Sequence, residues 1–154
     1  MLINMVKYIS GNALEVETDY LAHQVNDHGV MGAGIAKQIK EKYPEVFELY
    51  KKRCKADYEL IGTFFPVHVD GKTIVNCFSQ RGISRTKKTT DYDAIRKIFS
   101  DLEWICFPGK VITVPYGYGC GLAGGSWEKV SKIFEDIFIE SDVILQIVKM
   151  KDQA

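Results

Sequence analysis

A chain of 154 residues, 46% hydrophobic and 26% charged, is long enough to bury a core of its own without disulfide or metal staples. Twenty basic residues balance twenty acidic ones, which removes the electrostatic argument for nucleic acid or an anionic membrane and leaves a small ligand as the simpler partner. No apolar run reaches the roughly 18 residues of a membrane span and the first residues lack a cleavable signal pattern, so a cytoplasmic setting is expected.

Residues 2 to 9 form a strand-like run closed by Ser10-Gly11-Asn12, and a second short strand is expected from Tyr20 to Val25. The polar turn Asn26-Asp27-His28-Gly29 follows. Met31-Gly32-Ala33-Gly34 then opens a helix with Ile35, Ala36 and Ile39 on its apolar side. Tyr43-Pro44 ends that helix, and Pro44 suits the first turn of the next, which runs to Cys54. Ile61 to Val69 and Lys72 to Ser79 are β-rich runs joined by Asp70-Gly71, a two-residue hairpin signal.

Gln80 to Thr89 is a polar, basic loop carrying Arg81, Arg85, Lys87 and Lys88, and the bland reading of these charges is a solvated loop. Tyr92, Ile95, Ile98, Phe99 and Leu102 recur at helical spacing until Phe107-Pro108-Gly109. A β-branched strand, Lys110 to Val114, leads into a loop with glycine at 117, 119, 121, 124 and 125, and Ser126 can cap the helix that follows. Trp127, Val130, Ile133, Phe134 and Ile137 share one face of that helix, and Asp142 to Met150 holds a last, doubly buried strand. No linker or repeat interrupts the order β-β-α-α-β-β-α-β-α-β. One domain over residues 1–154 is therefore expected, α/β in class, with a mixed sheet between helices.

Glycine lets backbone N–H groups turn outward and lets a ligand approach unhindered, which is how loops at helix N-termini hold phosphate. Two such strand-to-helix loops fall on the same edge of the sheet, the edge where ligands of open α/β sheets bind. Facing one another, they could grip a pyrophosphate. Gly32-Ala33-Gly34 alone is not a dinucleotide fingerprint, because the third glycine is replaced by Lys37. The four cysteines, Cys54, Cys77, Cys106 and Cys120, contain no CxxC pair and read as buried free thiols of a reducing compartment. No carboxylate or histidine cluster has ligand spacing, so neither metal nor cofactor is implied.

Ala22-His23-Gln24-Val25-Asn26, Met31-Gly32-Ala33-Gly34-Ile35-Ala36 and the stretch from Pro115 to Glu128 together resemble the macrodomain family. The similar branch contains ADP-ribose-1''-phosphate phosphatases and terminal ADP-ribose protein glycohydrolases. The resemblance implies a three-layer α/β/α macrodomain with ADP-ribose in a cleft. Gly11, Asn12 and Ala13 would then sit by the adenine. Met31, Gly32, Ala33, Gly34, Ile35 and Ala36 would lie along the pyrophosphate and distal ribose. Pro115, Tyr116, Gly117, Tyr118, Gly119, Cys120, Gly121, Leu122 and Ala123 would contact the ligand, with Gly117 to Gly124 wrapping the diphosphate and distal ribose. Tyr118, an aromatic among glycines, is expected to wall the ligand, whereas Trp127 and Cys120 are expected to pack.

Asn12 replaces the family's adenine-binding aspartate, and its amide carbonyl keeps an acceptor without the charge. Glycohydrolase members place a lysine and an aspartate where this chain has Gln80-Arg81 and Ala123, so a Schiff-base route lacks both its amine and its carboxylate. The favoured activity is hydrolysis of the terminal phosphate of ADP-ribose-1''-phosphate. Asn26, Asp27, His28 and His23 are the candidate catalytic residues near the distal ribose, His28 as the histidine of a polar turn that can move a proton. Core packing is the bland reading of His23, and a turn role that of Asp27. The alternatives are a module that only binds free or protein-linked ADP-ribose, or a deacylase of O-acetyl-ADP-ribose or an ADP-ribosyl ester acting through bound water. A monomer is expected.

Overall fold

The computed structural model describes residues 3–150, so Leu2 of the expected first strand lies outside the described residues. The elements run β1 (Val6–Ser10), β2 (Tyr20–Asn26), α1 (Gly34–Lys42), α2 (Pro44–Arg53), β3 (Phe64–Val69), β4 (Lys72–Gln80), α3 (Tyr92–Ile105), β5 (Val111–Pro115), α4 (Trp127–Phe138) and β6 (Ile144–Lys149). The order matches the expected one. The boundaries shift by up to four residues: β1 begins at Val6 and extends to Ser10, which pairs with Lys149, and β3 begins only after a turn at Gly62, whose N–H donates to Phe78 O at 2.9 Å.

Local chemistry explains the punctuation. Asp70 and Gly71 both have positive φ, 44° and 74°, the mirror-image turn that suits the twist of a tight hairpin. Asp91 caps α3 by accepting from Ala94 N at 2.9 Å, and Pro44 opens α2 where a missing N–H costs nothing. Ser126 caps α4.

The six strands lie in the order β1-β6-β5-β2-β4-β3, parallel throughout except for the β3–β4 hairpin. Because β4 is paired on both sides and covered on both faces, its residues from Ile74 to Ser79 are all buried, and alternate ones serve opposite layers. Val75 and Cys77 join Ala22 under α3 and α4, where Ile95, Phe99, Phe134 and Phe138 pack. Ile74 and Phe78 face the other way, with Leu21 and Val25, toward Ile39, Val46 and Tyr50 of α1 and α2. The result is the three-layer α/β/α arrangement expected.

Strand order also fixes where a ligand can sit. After β2 the chain crosses by α1 and α2 toward β3 and β4; after β5 it crosses by α4 to β6 on the other side. Neighbouring β5 and β2 therefore send their connections to opposite faces, and a crevice opens between them at their carboxyl ends.

Candidate functional site

A cleft of about 870 Å³ fills that crevice. One wall is the segment between β2 and α1, from Val30 and Gly32 to Ala36; the other is the glycine loop from Pro115 to Ala123. Asn12, Ala13, Val148 and Met150 close one end, and Gln80, Ile83, Ser84 and Arg85 also border the cleft. Among the described lining residues only Arg85 is charged, and none is a carboxylate or histidine.

The backbone supplies most of the chemistry. Ala33 is the N-cap of α1 and offers no side-chain bond, and the first turn holds no acidic residue, so the leading amides of that helix stay open. Partial positive charge at such an end favours an anion. In the glycine loop, Pro115, Gly117, Gly119, Gly121 and Ala123 all turn their carbonyls toward protein donors: Tyr118, Cys120, Gly125, Gly124 and Thr89 N–H respectively. The N–H groups of Gly117, Gly119, Gly121, Leu122 and Ala123 have no protein acceptor among the described residues. Two arrays of unspent donors thus border one crevice.

Gly125 shows how tight the loop is. A Cβ there would stand 2.5 Å from Gly119 O, so only glycine lets the loop close on itself.

The structure divides the residues expected at the site. Asn12, Ala13, Asn26, Gly32, Ala33, Gly34, Ile35, Ala36 and every residue from Pro115 to Ala123 line the cleft. Gly11 and Met31 do not: Gly11 N bonds to Lys149 O, and Met31, 2% exposed, is buried with Val25 and Tyr50. The Tyr118 ring is no ligand wall. It is 2% exposed, edge-on to Phe99 (5.4 Å) and Phe134 (5.8 Å), with its hydroxyl 2.7 Å from Ser79 Oγ. Trp127 is half-buried, 4.7 Å from the Tyr116 ring.

Three of the four candidate catalytic side chains lie outside the lining. His23 is wholly buried, its Nε2 2.7 Å from Asn76 Oδ1 and its Nδ1 without a hydrogen-bond partner among the described residues. Burial pushes its pKa down to about 4, outweighing the hydrogen bond to Asn76, so it stays neutral and has no access to a ligand. Asp27 Oδ1 accepts from Gly82 N at 2.8 Å, tying the β2–α1 turn to the loop after β4. His28 Nε2 stands 3.6 Å from that same oxygen on the outside of the turn.

Asn26 does border the cleft, yet its side chain is largely spent on its own turn. Oδ1 accepts from His28 N (2.9 Å) and Tyr50 Oη (2.9 Å), while Nδ2 donates to Val30 O (2.8 Å). One N–H of the amide remains for a ligand. Asn12 behaves alike: its Oδ1 accepts from Leu14 N at 2.9 Å, which shares the carbonyl on which an adenine contact would depend.

Of the thiols, Cys77 is buried and the other three are half-buried, all of them free. Burial raises the Cys120 pKa to about 11, which keeps this cleft residue a thiol rather than a nucleophilic thiolate. In the basic loop, Arg81 is committed to Asp91 (3.0 Å) and Glu59 (3.4 Å), and Lys88 lies over the Tyr92 ring (4.5 Å). Arg85 alone of that run reaches the cleft. Gln24 and Gln38 line it as well and were not expected there. A polar Gln24 amid Leu21, Ala22 and Val25 was the available signal, since a buried strand keeps an amide only where that amide has partners.

No family model matches the chain. Known proteins do. The DNA ADP-ribosyl glycohydrolase of Mycobacterium tuberculosis is 35% identical over 136 residues, covering 83% of this chain and 37% of that protein. The chain thus spans little more than a third of the length of this curated relative. Human ADP-ribose glycohydrolase OARD1 is 28% identical over 145 residues, 92% of this chain and 90% of its own length. The solved macrodomain of Mycobacterium tuberculosis DarG superposes with a TM-score of 0.75 at 32% identity, covering 94% of this chain and 97% of that one.

Proposed function

The chain belongs to the macrodomain family, and from that premise we propose that its cleft binds ADP-ribose or a close derivative. The observation that carries this is the pair of amide arrays bordering the β5/β2 crevice. Open N–H groups at the start of α1 and along Gly117 to Ala123 offer a diphosphate many neutral donors without a counter-charge. The names of the two relatives described above, both on ADP-ribosyl chemistry, support the same ligand class.

The finer reading is hydrolysis of a terminal phosphate, with ADP-ribose-1''-phosphate as substrate. Cleavage of a ribosyl bond through a lysine and an aspartate has no counterpart at Gln80 and Ala123, whereas Gln80, Ser84 and Arg85 give the cleft an amide, a hydroxyl and a guanidinium. Such donors suit phosphoryl oxygens. Water attacks phosphorus, the bond from phosphorus to the ribose oxygen breaks, and that oxygen leaves with a proton.

A second reading, recognition without turnover, has its own support, since no carboxylate or imidazole is among the described lining residues. Inorganic phosphate released from ADP-ribose-1''-phosphate separates the two. Release well above the uncatalysed rate, lost in Arg85→Ala, is expected of the phosphatase. A rate equal to the protein-free control, with ADP-ribose still bound, leaves the binding module.

A further inference from the structure

Behind the glycine loop lies a circuit of hydrogen-bonded side chains. Thr90 Oγ1 donates to Gly119 O at 2.6 Å and accepts from Gln24 Nε2 at 3.0 Å. Gln24 Oε1 accepts from Ser79 Oγ at 2.8 Å, and Ser79 Oγ lies 2.7 Å from Tyr118 Oη. A hydroxyl has one proton to give. Ser79 gives its own to Gln24, so Tyr118 is the donor to Ser79, and every proton in the circuit is assigned. The circuit begins at Tyr118 and ends at Gly119, adjacent residues of the loop.

Thr90 grips the loop twice. Its hydroxyl holds the Gly119 carbonyl, and its N–H, beside that of Thr89, donates to Ala123 O (3.3 and 2.8 Å). The carbonyls at both ends of the Gly119–Ala123 span are thereby held on the protein side, while the Gly121 and Leu122 amides between them stay open. Thr90 is itself 3% exposed and fixed to β4, since Asp91 N donates to Ser79 O at 2.8 Å and Arg81 N to Thr89 O at 2.9 Å.

We propose that Thr90 is a positioning residue for ligand binding: its hydroxyl, oriented by Gln24 and Ser79, sets the amide-inward form of the glycine loop. The proposal rests on the reading of the cleft as an ADP-ribose site, and two measurements keep the two apart. Thr90→Val replaces the donor by a methyl group against Gly119 O, and strands a Gln24 N–H. Calorimetric affinity for ADP-ribose is expected to fall about tenfold in Thr90→Val and to stay within about threefold of wild type in Thr90→Ser, which keeps the hydroxyl. Thr113→Val removes another buried hydroxyl, one bonded to Thr18 (2.8 Å) away from the cleft, and is expected to lower the melting temperature with affinity unchanged.

The amide resonances of Gly119 to Ala123 in the free protein supply the ligand-independent readout. They are expected to move in Thr90→Val and to hold in Thr90→Ser. If Thr90→Val fails to fold, Ser79→Ala breaks the same circuit from β4 and is expected to move the same resonances and weaken binding. Affinity within twofold of wild type in Thr90→Val, unmoved loop amides, or a serine variant as weak as the valine one would overturn the proposal. Absence of ADP-ribose binding in the wild type would instead sink the functional reading, and the resonances would still decide the role of Thr90.

Discussion

The Tyr50 hydroxyl of α2 reaches back to Asn26 at the end of β2, its one proton shared between the Asn26 carbonyl at 2.7 Å and the side-chain oxygen at 2.9 Å. One buried phenol thus pins the turn that delivers the chain to α1, and with it one wall of the cleft. Burial raises the Tyr50 pKa far beyond its ordinary value, so the donor proton is retained at every working pH. Tyr50→Phe leaves both oxygens of Asn26 short of a donor. The expected loss is about 1–3 kcal/mol in urea unfolding, with weaker ligand binding, and a change below about 0.5 kcal/mol would show that the contact contributes little.

His23 makes stability depend on pH. Its folded pKa, about 4, lies below the ordinary histidine value of 6.5 because burial disfavours the cation. The unfolded chain therefore binds the proton first as pH falls. Its contribution to stability is full above pH 6.5, is lost as pH falls from about 6.5 to 4, and amounts to about 3 kcal/mol. His23→Gln, which keeps an amide donor for Asn76, is expected to flatten this segment of the pH profile in chemical denaturation. A variant whose profile falls as steeply as wild type would refute the assignment.

Two glycines of the same loop should respond in opposite ways. A methyl group on Gly125 meets Gly119 O at 2.5 Å and Thr90 Cγ2 at 3.2 Å, whereas one on Gly121 meets nothing within 4 Å. Gly125→Ala is expected to cost about 1–3 kcal/mol through overpacking, while Gly121→Ala stays within about 0.5 kcal/mol of wild type. Thermal melts of both variants check this, and equal melting temperatures would contradict the loop geometry.

Cys120 borders the cleft but is a protonated thiol, its pKa near 11. At pH 7.5 roughly one molecule in a few thousand carries the thiolate, so iodoacetamide should modify it far more slowly than a free cysteine, and more slowly still with ADP-ribose bound. Mass spectrometry over time reads both effects, and labelling as fast as free cysteine would show the thiol to be activated.

Much of the fold was legible because its signals are local. Asp70-Gly71, Tyr43-Pro44 and Ser126 name their turns and caps through their own φ preferences and side chains, and they mark boundaries of five of the ten elements. What sequence periodicity could not provide was contact across long separations. Tyr118 reads as a loop aromatic free to meet a ligand, yet Phe99 and Phe134 from two helices leave a slot for its ring. Asn26 reads as a group facing the ligand, but its partner Tyr50 lies 24 residues on and holds it in the turn. Gln24 has no role legible in the sequence since Ser79 and Thr90, the residues that orient it, are 55 and 66 positions away. The binding loops announce themselves by glycine, which acts through its own backbone; the side chains that hold them do not.

The central claim, that the crevice between β5 and β2 is an ADP-ribose site built from backbone amides, is tested most directly by calorimetric titration of the wild-type protein with ADP-ribose. Saturable, one-to-one binding with a rise in melting temperature is the expected result. Neither heat nor a thermal shift at millimolar ligand would contradict the account.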